Sequence, residues 1–203
     1  MTATAAFRIE RRDAGFLAHV DLRHDFYFDH PLGHLPGLLL LDVALAAVAE
    51  ARVSAAPPWF AQFDIAFRAI AALHRPLEIE LFVGSAADRT TRCTLSQGGR
   101  LCAEAQVTEG EDAQPGAAPM PAEAAFAALD PRSIRKARPE NVFLGQAGAG
   151  AAIQLPHRLA SALPASDRGR YAPVYLAECF LQLCRRGGGG GGGGGGRGRG
   201  GLK

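Results

Sequence analysis

The sequence has no pair of cysteines spaced as C-x-x-C; its four, Cys93, Cys102, Cys179 and Cys184, are scattered. With 48% of its residues hydrophobic, the chain has ample material for a core and no need of disulfide staples, so free thiols are expected. It also lacks a long apolar run. The longest, Leu35 to Ala49, is interrupted by Asp42 and falls short of the roughly 20 residues that span a bilayer. The N-terminus, MTATAAFRIERRD, has no apolar signal core followed by a cleavage site, so a soluble, cytoplasmic protein without a membrane partner is expected. An excess of either sign of charge is lacking too: 22 Lys and Arg face 20 Asp and Glu, the net charge is +2, and no long charged block precedes the tail. Nothing here calls for a nucleic-acid partner.

Glycine is abundant, and much of it is concentrated at the end, in GGGGGGGGGGRGRGGLK. The two arginines in this tail have no aromatic neighbours on which bases would stack, so it reads as a disordered terminus or as the product of a shifted reading frame. Setting it aside leaves roughly 185 residues, enough for one ordinary domain or two small ones.

FLAHVDLR (Phe16 to Arg23) alternates as a half-buried strand does, and Phe7 to Glu10 offers a short strand before it. HDFYFDHPLGH reads as a loop. LPGLLLLDVALAAVAEARV then predicts a helix from about Gly37 to Val53, ending before Pro57 and Pro58. That helix is apolar on nearly every side, so other elements must wrap it. The wrapping strands are expected at Phe60 to Ile70, at Leu77 to Ala86, and in the runs TTRCTLSQ and RLCAEAQVTE, which form a hairpin about Gly98 and Gly99. The expected class is α+β: a curved antiparallel sheet around a buried central helix.

Residues 111–131, rich in Glu, Ala, Pro and Gly, predict a linker between a domain at 1–110 and a second segment at 132–186, with 187–203 as the glycine-rich tail. In the second segment PENVFLG and AAIQLPH read as strands and Tyr171 to Arg186 as a helix. Strand, loop with His157, and helix with Glu178 repeat the order of the first segment, an incomplete second copy.

Asp29-His30-Pro31, then His34, Pro36 and Gly37, then Leu39 to Asp42, resemble the phrase DHPxDHVPGMLLLE of the A-factor biosynthesis hotdog family, whose members carry it in two fused hotdog domains. Asn141 to Gly145 and Leu176 to Gln182 resemble the NVLxG and LxExxxQ of the family's second domain. Gly33 stands where the family has an acid, Asp42 where it has Glu, and Leu45 and Ala46 replace its Arg-Gln pair. The resemblance implies a hotdog fold with a partial second hotdog-like repeat. It also implies an acyltransferase that moves a β-ketoacyl group from acyl carrier protein to a glycerone-phosphate-type acceptor in γ-butyrolactone signal synthesis. Hotdog dehydratases of β-hydroxyacyl carrier proteins are a more distant likeness, with a helix acid five positions beyond a Pro-Gly pair, as Asp42 lies beyond Gly37.

Asp42 is the only charge between Leu35 and Ala49; burial should raise its pKa and the helix N-terminus lower it. With His30 in the preceding loop it forms the expected catalytic pair. His34, Pro36, Gly37 and Leu38 are the expected substrate contacts, the first helical N–H groups holding a thioester oxygen. His157 and Glu178 form a possible second site. Asp42 reads equally as a structural carboxylate bonded to neighbouring backbone, and His34 as a loop residue on a carbonyl.

His24, Asp25, Asp29, His30 and His34 are ligand types for zinc or iron, but their spacing matches no compact site, so no metal and no cofactor are expected. The expected partners are an acyl carrier protein or acyl-CoA thioester substrate and a second copy of the chain, in a homodimer formed through the first domain. A dehydratase or thioesterase, or a non-catalytic acyl-binding or dimerisation module, are the alternatives.

Overall fold

The computed structural model describes residues 5–52, 60–84, 88–110, 127–147, 150–153, 166–167, 170–171 and 173–187. Strands β1 (Phe7–Arg12) and β2 (Gly15–Val20) form a hairpin and lead to helix α1 (Gly37–Ala51). Strands β3 (Phe60–Phe67), β4 (Leu77–Val83), β5 (Thr90–Gln97) and β6 (Arg100–Glu109) follow. The six strands make one antiparallel sheet in the order β1-β2-β4-β5-β6-β3.

The β5–β6 turn falls at Gly98 and Gly99, whose φ values of +58° and +77° are the left-handed pair that a two-residue hairpin turn needs. Alternation along β5 sends Thr91, Cys93, Leu95 and Gln97 inward against α1. Leu39 to Leu41, Val43 to Leu45, Ala47 and Val48 are all buried, as expected of a helix apolar on nearly every side.

The sheet covers only part of α1. The rest is covered by the second segment, through helix α2 (Pro173–Gly187), whose Val174, Tyr175 and Cys179 belong to the same core as α1. Phe143 lies between Phe26 and Tyr175, its ring centroid 5.8 Å from the first and 4.7 Å from the second. Each such side chain contributes about 1.5–3 kcal/mol when fully buried.

The rest of the second segment departs from expectation. PENVFLG is not one strand: Pro139–Asn141 is a 3-10 turn, and strand β8 starts only at Leu144 and runs to Ala147. The prolyl ring fixes φ and removes a ladder donor, which favours a turn there. Strand β9 (Gly150–Ile153) pairs with β8, and so does the short β7 (Ala127–Ala128), within the stretch expected to be linker. The remainder of AAIQLPH, with His157, lies outside the described residues, as does the glycine-rich tail beyond Gly187, the last residue of α2. Among the described residues, no helix is long and apolar enough to cross a membrane.

Candidate active site

A cavity of about 660 Å³ opens between the Phe26–Leu38 stretch, the inner face of β3 and helix α2. Its wall is mostly apolar, with Leu38, Leu41, Phe63, Ile65, Leu176 and Phe180 among the lining residues. The expected substrate contacts His34, Pro36, Gly37 and Leu38 line it, as do His30 of the expected catalytic pair and Glu178 of the possible second site.

The loop before α1 is held from the sheet. The buried Gln97 amide bonds the main chain of the β3–β4 connection, accepting from Ala72 N at 2.7 Å and donating to Ala72 O and Arg75 O. That connection in turn accepts the Leu35 N–H at Ala71 O, 2.9 Å away, just ahead of the Pro36-Gly37 helix start. Helix α1 begins with no side-chain cap; Pro36 O takes the Leu39 and Leu40 N–H groups, and Gly37 and Leu38, whose N–H groups precede the first helical carbonyl, line the cavity. A Cβ at Gly37 would lie 2.7 Å from Phe67 Cζ, so the exposed Phe67 ring, which lines the same cavity, would have to shift to admit one.

His30 Nδ1 lies 2.5 Å from Asp29 Oδ1. The Asp29 side chain is almost wholly buried, whereas that of His30 is 46% exposed. Asp29 Oδ2 also accepts the Ala137 N–H, at 3.4 Å. A buried carboxylate on one ring nitrogen fixes the imidazole and leaves Nε2 for proton transfer.

Asp42 does not stand in the wall beside His30. Its Oδ2 accepts a 2.7 Å hydrogen bond from Tyr27 Oη, and it is Tyr27 that lines the cavity. Burial pushes the Asp42 carboxyl above its ordinary range, partly offset by that bond. The Tyr27 hydroxyl is pushed up by burial first, then by the charge of Asp42 and the bond to it.

Besides Asp29, the carboxylate that shares the cavity with His30 is Glu178. Its Oε1 lies 2.9 Å from Lys136 Nζ and accepts from Gln182 Nε2 at 2.9 Å, while Arg185 Nη1 is 4.0 Å away. Gln182, fully buried one helical turn along, also accepts from Phe143 N and donates to Asn141 O. Lys136 Nζ lies 4.7 Å from the centre of the Phe26 ring.

Composition and periodicity did not single out Tyr27, Lys136 or Gln97, and Asp29 entered only as a motif residue and as a ligand type. The adjacency of Asp29 and His30 was the usable signal for one of them. Among the described residues no group of three or more His, Cys, Asp or Glu side chains is placed to hold a metal.

A sheet curled around a buried helix, with a cavity at the helix start, defines a hotdog domain. Residues 6–109 match the A-factor biosynthesis hotdog domain model, and the chain belongs to that family. No curated protein matches the chain. Among solved structures it is similar to a putative thioesterase, a phenylacetic acid degradation-related protein of Ralstonia eutropha JMP134, with 20% identity over 51% of this chain and 83% of the other and a TM-score of 0.38. A mutant of the phenylacetic acid degradation protein PaaI of Thermus thermophilus is similar at 18% identity, over 51% and 91%, with a TM-score of 0.39. Zebra fish thioesterase superfamily member 2 is similar at 14%, over 51% and 80%, with a TM-score of 0.40.

Proposed function

We propose that this protein is an acyltransferase that moves a β-ketoacyl group from an acyl carrier protein thioester to the hydroxyl of a glycerone-phosphate-type acceptor, in γ-butyrolactone signal synthesis. The observation that carries the reading is the meeting of His30 and Glu178, from two segments of the chain, in one largely apolar cavity of about 660 Å³. Family membership supports it, since the matched model is that of A-factor biosynthesis.

In this reading the acyl chain lies along Leu38, Leu41, Phe63 and Ile65, and the uncapped first turn of α1 receives the thioester oxygen. His30, oriented by Asp29, transfers protons, and Glu178 is the partnering acid or base. Asp42 acts through Tyr27 and does not meet the substrate. The domain at 1–110 and the segment at 132–186 each supply one wall of the site. Pairing of two copies through the first domain completes the proposal, with β1 and β3 as the sheet edges.

The test is to incubate the protein with a β-ketoacyl carrier protein and glycerone phosphate and to identify the products by mass spectrometry. The acyl ester of the acceptor is expected. Free β-keto acid alone would make the protein a thioesterase, and no release of carrier thiol would leave a binding module.

A further inference from the structure

The chain carries 22 lysines and arginines, yet only two are lysine, Lys136 and Lys203. In a sequence that uses arginine almost everywhere, the buried cation of the site is a lysine. Its side chain is 7% exposed and that of Glu178 is 3% exposed, with 2.9 Å between Nζ and Oε1. The slot between the Glu178 carboxylate and the Phe26 ring suits a compact ammonium, where a planar guanidinium would need more room.

The backbone around Lys136 is built to place it. Arg135 adopts the left-handed conformation, φ 57° and ψ 44°, at the end of the 3-10 turn Pro131–Ile134. The next residue after Lys136, Ala137, gives its N–H to Asp29, and Arg138 pairs with Asp25 at 2.8 Å. Two consecutive residues thus hold both acids of the site, Glu178 by a side chain and Asp29 by a backbone N–H.

We propose that Lys136 is a positioning residue that pairs with the Glu178 carboxylate and holds it at the cavity, so that Glu178 serves as general base for hydroxyl attack on the thioester. This rests on the acyl-thioester reading above and deepens it. The groups around Glu178 are Lys136, Arg185 and Gln182, with Tyr27, Asp29, His30 and His34 on the facing wall and Asp42 behind Tyr27.

In the forward step the acceptor O–H gives its proton to Glu178 as its oxygen bonds to the thioester carbon. Collapse of the tetrahedral intermediate breaks the C–S bond, and the departing thiolate takes a proton from the His30 imidazolium that Asp29 stabilises. Solvent then carries the proton from Glu178 back to His30. Dehydration would need Glu178 to begin protonated, so as to deliver a proton to a leaving hydroxyl, and the ammonium opposes that.

The test uses the full chain labelled with ¹³C at glutamate carboxyls, the Glu178 resonance being identified by its loss in Glu178→Gln. Lys136→Met should move the midpoint of that resonance upward by about one unit or more relative to the wild type, with Lys136→Arg between. An unchanged midpoint in a folded Lys136→Met or Lys136→Arg overturns the proposal. The double variant Lys136→Met/Glu178→Gln, which leaves no unpaired buried charge, shows whether lysine loss alone disrupts the fold. With thioester and acceptor, Lys136→Met should lower kcat about tenfold or more at unchanged KM and move the acidic limb of the pH profile upward. A wild type with no thioester turnover would remove the functional reading, while the carboxyl titration would still decide the role of Lys136.

Discussion

Asp29 and His30 are neighbours in the chain and partners in space, the buried carboxylate meeting the half-exposed imidazole at 2.5 Å. The arrangement fixes which ring nitrogen faces the reaction, so Asp29→Asn should lower turnover by about 10²–10⁴-fold, as should His30→Gln, with the thermal transition little changed. Steady-state kinetics on the β-ketoacyl thioester decide this. An Asp29→Asn variant as fast as the wild type would leave His30 without a functional orienting partner.

Asp42 predicts a pH dependence of stability. Its folded pKa lies above the unfolded value near 3.8 because burial disfavours the charge. The folded state therefore binds more protons than the unfolded one between those two values, and stability from this group falls as pH rises through that interval. Asp42→Asn, which still accepts from Tyr27, should lack this slope and be at least as stable as wild type at neutral pH. Tyr27→Phe should cost about 1–3 kcal/mol and steepen the loss, since the removed bond lowers the Asp42 pKa. Urea titrations at several pH values measure both, and a slope retained in Asp42→Asn would assign it to another group.

Gln182 ties three buried groups together: it accepts from Phe143 N and donates to Asn141 O and to Glu178 Oε1, which Lys136 also holds. Gln182→Leu leaves the Phe143 N–H without this acceptor and should destabilise the protein by about 1–3 kcal/mol despite the similar side-chain volume. A loss under about 1 kcal/mol by urea unfolding would mean that the segment rearranges to satisfy those groups.

The thiols should separate cleanly by accessibility. Cys93, Cys102 and Cys179 are buried, whereas Cys184 is exposed. Burial pushes the Cys93 and Cys179 thiols up to about 12, so little thiolate forms at neutral pH. A thiol-specific chromogenic reagent should titrate one group rapidly in the native protein and all four after denaturation. Two fast thiols in the native state would contradict the packing at one buried cysteine.

Most of the first domain was legible in the sequence, for local reasons. The apolar run at Gly37–Ala51, the alternation at Leu77–Val83 and the Gly98-Gly99 turn each carry their signal within a few residues. The site was legible only where it is local: Asp29, His30, His34, Pro36 and Gly37 lie in one phrase. Sequence proximity suggests pairing His30 with Asp42, but Glu178, which joins Asp29 and His30 at the cavity, and Lys136, which pairs with Glu178, are placed by tertiary packing. Periodicity has no means of reporting that Tyr27 would take up Asp42. Pro139–Asn141 defeated the strand reading because a proline turn outweighed the apolar residues after it.

The dependence of α1 on α2 for cover has a consequence for synthesis. The helix leaves the ribosome long before Tyr175 and Cys179, which belong to the same core, so Phe26 and the uncovered side of α1 face water or a chaperone in the interval. Final docking closes a loop of most of the chain's length, an intrinsically slow event. Conditions that lengthen the wait should send the nascent first domain into aggregates before a complete active site ever exists.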